Sequence, residues 1–330
     1  MRRWFSQYVN NSRFDMFQTQ ISAMDEYIAQ CSYGRFEPFF GKTSEDLTVI
    51  GLFGRGRGTG CLKFAKRVME GVRENENQEF FVHPVWDSPC DWNQYISLIK
   101  TLKFPESKVF WAGRNSPIWQ NVFPEETLNY SIAHMPDHLS TITEKKGLST
   151  TNSHILASED FKNILTYRIN ELKSEGKLIL FIDLQHEKSC DQLIVRARKV
   201  LQNFEHLNDE EKSKITFKFV THCQETVETA LQELSDKFQV LHKEILTSNL
   251  ETHANLISNP GLINNVYTNW VKEKIGSQFF YSLDSNREFE LKQRIMNNFF
   301  ADLSRDVKEN PPEVHHNSLV LLLQRTHKIN

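Results

Sequence analysis

Residues 47–60, LTVIGLFGRGRGTG, constrain the fold of this chain more than any other stretch. Thr48, Val49 and Ile50 form a β-branched run with the character of a buried strand. Glycines follow at 51, 54, 56, 58 and 60, and over 61–71 Leu62, Ala65, Val68 and Met69 recur at helical spacing. A strand, a glycine turn and a helix N-terminus in succession make a place for a ligand. Without Cβ atoms the backbone can approach closely, and free N–H groups face an anion. In open parallel sheets ligands sit at the carboxyl ends of strands, near where the strand order reverses. The stretch therefore predicts the cofactor loop of a doubly wound α/β domain, with Gly51, Gly54 and Gly56 as its cradle. Glycine turns that bind nothing are also common, so the spacing alone leaves both readings standing. Arg55 and Arg57 lie in the same loop, where they can touch phosphate or RNA or simply be solvated.

Composition favours the solvated arginines. The net charge is −3, so no global field draws the chain to nucleic acid or to an anionic membrane. At 330 residues the chain is long for one domain and short for two, which suits one α/β core with a sizeable insertion. Phenylalanine occurs 24 times, enough for both core packing and an aromatic substrate pocket. Five scattered cysteines without a CxxC pair argue against a zinc site and a disulfide framework. His315-His316 has no third ligand at metal spacing. The N-terminus, MRRWFSQYVNNSR, has no apolar stretch of the kind a secretory signal carries. The longest apolar runs, 178–182 and 319–323, are strand length, far below the ~20 residues of a membrane span. A soluble, reducing, cytoplasmic setting is the expectation.

Along the chain, 14–29 reads as a helix with Phe17, Ile21, Met24 and Ile28 on one face. Strands are expected at 79–82, 108–112 and 128–133, and a helix at 92–102. Ser158-Glu159-Asp160 has the serine and acids of a helix start, and Ser174-Glu175-Gly176 has the glycine of a helix end. Residues 177–183 are a continuous apolar strand of the type buried on both faces. Residues 184–235 turn helical and polar, 238–246 alternate like a strand, and 250–303 are helical with breaks near 259–261 and 284–286. A last strand is expected at 318–323. This pattern predicts three parts: an N-terminal segment and cofactor-binding α/β core at 1–183, a mostly helical cap at 184–310 carrying one core strand, and a final core strand within 311–330.

Several stretches together resemble one family. Tyr8-Val9-Asn10-Asn11-Ser12, Asp87-Ser88-Pro89-Cys90-Asp91-Trp92-Asn93, Ser116 to Pro124 ending Val122-Phe123-Pro124, Asp137-His138-Leu139-Ser140 and Gly176-Lys177-Leu178 keep the order and spacing of its blocks. These are similar to the Tyr-x-x-Asn-Ser, Asp-Leu-Pro-x-Asn-Asp-Phe-Asn, Ser-Phe-Tyr-x-x-Leu-Phe-Pro, His-Trp-Leu-Ser and Gly-Gly-Arg-Met-Val segments of the SABATH carboxyl methyltransferases. That family uses S-adenosylmethionine to methylate small acids and, in some members, ring nitrogens. The resemblance covers most of the chain and implies a Rossmann-like methyltransferase sheet with a helical cap, S-adenosylmethionine as cofactor and a small-molecule methyl acceptor. Members of this fold are often dimers, so a homodimer is one assembly left open.

Carried over residue by residue, the resemblance shows departures. The family's acid at the end of the first strand falls on Gly51, its Pro-Asn on Gly58-Thr59 and its adenine-contacting Ser-Phe on Pro117-Ile118, next to Ser116. Asp87 stands where the family has its ribose-binding acid, and a carboxylate at the end of the second strand can accept both ribose hydroxyl protons. Asp87 can also cap the following helix, as can Asp91. The family's substrate clamp falls on Asp15 and His138, with Tyr8 and Trp119 beside the acceptor. An aspartate repels a carboxylate substrate. Paired with His138, it can instead orient an imidazole that takes a proton from a hydroxyl or amine. The competing roles are a loop histidine bonded to backbone and an aspartate capping the 14–29 helix.

Three functions compete on these grounds. The first is a small-molecule methyltransferase. The second is a catalytically inactive methyltransferase-like protein that binds a ligand or a protein, favoured by the missing first-strand acid and by Arg55 and Arg57 beside a cationic cofactor. The third, RNA contact through the RGRG tract, is disfavoured by the acidic balance. The glycines and Asp87 together favour the first.

Overall fold

Every central strand of this protein is apolar on both sides, and the architecture follows from covering both. The computed structural model describes residues 33–42, 45–54, 59–74, 77–86, 92–104, 108–116, 120–135, 150–184, 187–215, 224–249, 279–280, 282–309 and 315–326. In chain order the elements are β1 (Leu47–Gly54), α1 (Thr59–Val72), β2 (Glu79–Trp86), α2 (Trp92–Thr101), β3 (Val109–Trp111), β4 (Arg114–Asn115) and β5 (Leu128–Met135). They continue as α3 (Thr150–Glu171), β6 (Leu172–Leu184), α4 (Glu187–Gln202), α5 (Asp209–Lys214), α6 (Gln224–Glu233), β7 (Phe238–Asn249), α7 (Phe289–Glu309) and β8 (His315–Arg325).

The strands form one sheet in the order β3-β2-β1-β5-β6-β8-β7, with β4 paired to β2. Strands β1 to β6 pair in parallel, and β8 runs antiparallel between β6 and β7. From β1 the chain moves outward to β2 and β3, then returns to β5 on the other side. The strand order therefore reverses between β1 and β5, as the glycine stretch predicts for a doubly wound sheet.

Side chains of the central strands alternate between two cores. Ile50 and Leu52 of β1, Ile179 and Phe181 of β6, and Val320 and Leu322 of β8 join Leu62, Ala65, Val68 and Met69 of α1. Phe53, Leu178, Leu180, Ile182, Leu319, Leu321 and Leu323 join Phe161, Ile164, Leu165 and Ile169 of α3 and Val227, Ala230 and Leu231 of α6. The two-residue period is what places adjacent side chains on opposite faces. A third cluster joins α4 and α7 through Ala197, Leu201, Phe204, Phe279, Phe299, Phe300 and Leu303. Phe279 and Phe299 stack at 4.5 Å in it, so this share of the phenylalanines is core packing. The 184–310 stretch thus divides, α6 lying on the sheet and α4 with α7 packing together. Among the described residues no helix is long and apolar enough to cross a membrane.

Three elements differ from the sequence expectation. Strand β1 continues through Gly51 to Gly54 instead of breaking after Ile50. Helix α3 begins at Thr150, so Ser158 lies inside it rather than capping it. Gly176 does not end that helix. Leu172 is fully buried and pairs with Leu128, so the chain enters the sheet directly after Glu171. The ladder then shifts register before the Tyr130–Lys177 pair, with Glu175 at φ 62° in the bulge. A Cβ at Gly176 would meet the carbonyl oxygens of Lys173 at 2.9 Å and Leu128 at 3.1 Å. The helix expected over 14–29 lies outside the described residues, as does the 250–278 part of the later helical block.

The two strand glycines make a graded test. Backbone oxygens cannot swing aside, so Gly176→Ala is expected to lower stability by about 3 kcal/mol, whereas Gly51→Ala, meeting side-chain tips, costs about 1–2 kcal/mol. Urea denaturation reads both, and equal midpoints for the two variants would contradict the ranking.

Candidate functional site

Four parallel strands stop at one level of the sheet. Gly54 of β1 pairs with Trp86 of β2, Trp86 pairs with Asn115 of β4, and Phe53 pairs with Ala133 of β5, two residues before β5 ends at Met135. The chain leaves this carboxyl edge after each of them. Asp87 follows Trp86, Ser116 follows Asn115, Gly56 is two residues beyond Gly54 and His138 three beyond Met135. Gly56, Asp87, Trp119 and His138 lie outside the described residues, as do Tyr8 and Asp15. Helix α1 begins at Thr59, five positions after Gly54, and supplies a helix N-terminus on the return from that edge.

Gly51 has a different setting from the turn glycine the sequence suggests. It lies inside β1, paired with His83 of β2 on one side and Ser131 of β5 on the other. A Cβ there would meet Leu128 Cδ1 and Phe53 Cε2, each at 2.9 Å, and Phe123 Cε2 at 3.4 Å. The space that an acidic side chain would take at this position holds aromatic and aliphatic groups. Phe53 and Phe123 meet edge to face at 6.0 Å, and His83 meets Phe123 at 4.8 Å. Such edge-on contacts suit the ring quadrupoles.

Ser116 is the expected site residue whose side chain is described. It is 4% exposed, and its Oγ accepts hydrogen bonds from Arg114 Nη2 and Gln120 Nε2, both at 3.2 Å. Behind it lies a buried ion pair that the sequence reading missed. Arg168 Nη2 donates to Glu171 Oε1 at 2.8 Å, and the two side chains are 0% and 1% exposed. The Arg168 guanidinium also sits 4.0 Å from the centre of the Phe53 ring. Burial pushes Arg168 down to about 10, with the Glu171 charge opposing. Burial likewise raises Glu171 above the usual carboxylate range, against the pull of Arg168 and the Val122 and Phe123 amides. The available signal was Arg168 itself, a charge on the apolar stripe of Phe161, Ile164, Leu165 and Leu172. Among the described residues no cluster of His, Cys, Asp and Glu could hold a metal ion.

His83 is a second titratable group on this face. Its Nε2 is buried without a hydrogen-bond partner, and burial, followed by the charge of Arg114, lowers its pKa. A depressed histidine contributes stability that is present above its unfolded pKa of ~6.5 and lost as pH falls toward the folded value. Urea midpoints of the wild type should therefore decline below pH 6.5. His83→Gln should flatten that decline, and an unchanged slope would remove His83 as its source.

No family model matches the sequence, and no curated protein matches it. Solved structures do. A loganic acid methyltransferase solved with SAH superposes at a TM-score of 0.66 with 16% identity, covering 95% of each chain. A geranyl diphosphate methyltransferase in complex with GPP and sinefungin reaches 0.40 with 9% identity, covering 90% of this chain and 78% of that one. The [4+2]-cyclase SpnF reaches 0.41 with 10% identity, covering 88% and 80%. Over nearly its whole length, this chain has the Rossmann-like α/β fold of a methyltransferase.

Proposed function

We propose that this protein is an S-adenosylmethionine-dependent methyltransferase acting on a small molecule with a carboxylate, hydroxyl or amine acceptor. One observation carries the reading: the strand order reverses between β1 and β5. At that reversal β1 ends on a glycine, and Asp87, Ser116 and His138 follow β2, β4 and β5 in the sequence. Ligands of open α/β sheets bind at such a point. The fold is shared with a structure solved with SAH, the demethylated form of the cofactor. The donor set fits the group: a glycine-bearing turn into a helix N-terminus for its polar tail, a carboxylate for its ribose and a serine hydroxyl for its base.

In this reading Gly54 and Gly56 let the backbone approach the cofactor, while Gly51 contributes by making room for Phe53 and Phe123. Asp87 accepts the ribose hydroxyls. Tyr8, Trp119 and His138 line the acceptor. The cofactor supplies an electrophilic methyl group on a sulfonium. A carboxylate acceptor needs only alignment with the methyl–sulfur bond. A hydroxyl or amine must also lose a proton, which His138 takes with Asp15 orienting its ring. A second reading, a binding protein without catalysis, is favoured by the filled space at Gly51 and the absence of an acid there.

Calorimetric titration with S-adenosylhomocysteine separates the two from an empty fold. Micromolar binding is expected, and Asp87→Ala should weaken it by about 1–3 kcal/mol, the loss of charge-assisted hydrogen bonds. Absence of binding at millimolar ligand would sink the cofactor assignment. For a hydroxyl or amine acceptor, turnover should fall below a pH of ~6.5 as His138 protonates. A flat profile between pH ~5 and ~9 would count against the Asp15–His138 pair.

A further inference from the structure

A fully buried ion pair in an apolar helix stripe is a poor way to add stability. Desolvating both charges offsets most of their attraction, and apolar side chains of similar volume do as well or better. What the Arg168–Glu171 pair provides is geometry. Glu171 Oε1 accepts the main-chain N–H of Val122 at 2.6 Å and of Phe123 at 3.1 Å, as well as Arg168 Nη2. Arg168 Nη2 also donates to the carbonyl of Gln120 at 2.7 Å. One turn of α3 thus ties down residues 120–123.

That segment in turn holds Ser116. The Gln120 amide donates to Ser116 Oγ, and the Val122 carbonyl accepts from Arg114 Nη1 at 3.3 Å, while Arg114 Nη2 donates to the same Oγ. A serine oxygen has two lone pairs and one proton. With both lone pairs engaged, the hydroxyl can act outward only as a donor.

We propose that Arg168 and Glu171 are positioning residues that, through Gln120 and Arg114, present Ser116 at the carboxyl edge as a fixed hydrogen-bond donor. Such a donor selects a ligand group that accepts, an unprotonated ring nitrogen or a carbonyl, over one that donates. This inference rests on the methyltransferase reading of the edge and supplies the base-recognising part of it.

A double-mutant cycle tests it, read by calorimetric titration with S-adenosylhomocysteine at low temperature alongside thermal melting. Ser116→Ala should weaken binding about tenfold and Gln120→Ala about threefold, the range of single hydrogen bonds. The double variant should be no weaker than Ser116→Ala alone, because Gln120 acts through that hydroxyl. Glu171→Gln should lower the melting temperature and also weaken binding about tenfold at full stoichiometry. In the Ser116→Ala background it should add little. Gln120 is exposed, so its variant keeps the test decisive if Glu171→Gln does not fold. Additive losses across the cycle would overturn the proposal, as would variants that melt earlier yet bind with wild-type affinity. A wild-type protein that does not bind S-adenosylhomocysteine would overturn the methyltransferase reading and this inference together. Wild-type binding with unaltered variants would overturn this inference alone.

Discussion

The parallel pairing of β1 with β2 on one flank and β5 on the other is the constraint on which the rest of this molecule depends. Parallel neighbours need long crossovers, and the crossovers put α1 on one face and α3 on the other. Both faces of β1 must then be apolar, which its sequence supplies with Ile50 and Leu52 on one side and Phe53 on the other. The same pairing brings the ends of β1, β2, β4 and β5 level. A shared carboxyl edge is thus a by-product of the requirement that two layers of helix cover one sheet.

The exchange at positions 51 and 53 shows how closely that core is filled. Residues two apart on a strand share a face. Removing the side chain at 51 gives the Phe53 ring the room it occupies, against Leu128 and Phe123 and beneath Arg168. The polar groups packed on this face are the Arg168–Glu171 pair and its bonds to residues 120–123.

Much of the sheet was legible in the sequence because its signals are local. The glycines after Ile50, the helical spacing from Leu62 to Met69 and the apolar runs at 178–182 and 319–323 each fix one element without reference to another. The failures are places where a distant partner decides. Ser158-Glu159-Asp160 has the composition of a helix start, but α3 already begins at Thr150, and the residues of it that join the sheet core start at Phe161. Gly176 looks like a helix end until Leu172 is seen paired with Leu128. Arg168 and Glu171 were missed because their partners, at 120–123, are nearly fifty residues away and include three main-chain groups, which leave no trace in a pattern of residue types. Of the expected site residues, Gly51, Gly54 and Ser116 are described: the fold gives the two glycines their strand partners and Ser116 its hydrogen bonds.

Strand β8 has a consequence for how the chain is made. It lies between β6 and β7, yet it follows both in the sequence. While the polypeptide is emerging, β6 has its partner β5, but its other flank stays open, and β7 has no neighbour at all. The open ladder edges of both wait for residues 315–325, the last strand of the sheet to be synthesised. An open edge of this kind pairs readily with the wrong chain. Assembly of this protein is therefore gated by its last strand. The pairing that closes the sheet is also the one that ends the interval in which nascent chains can aggregate.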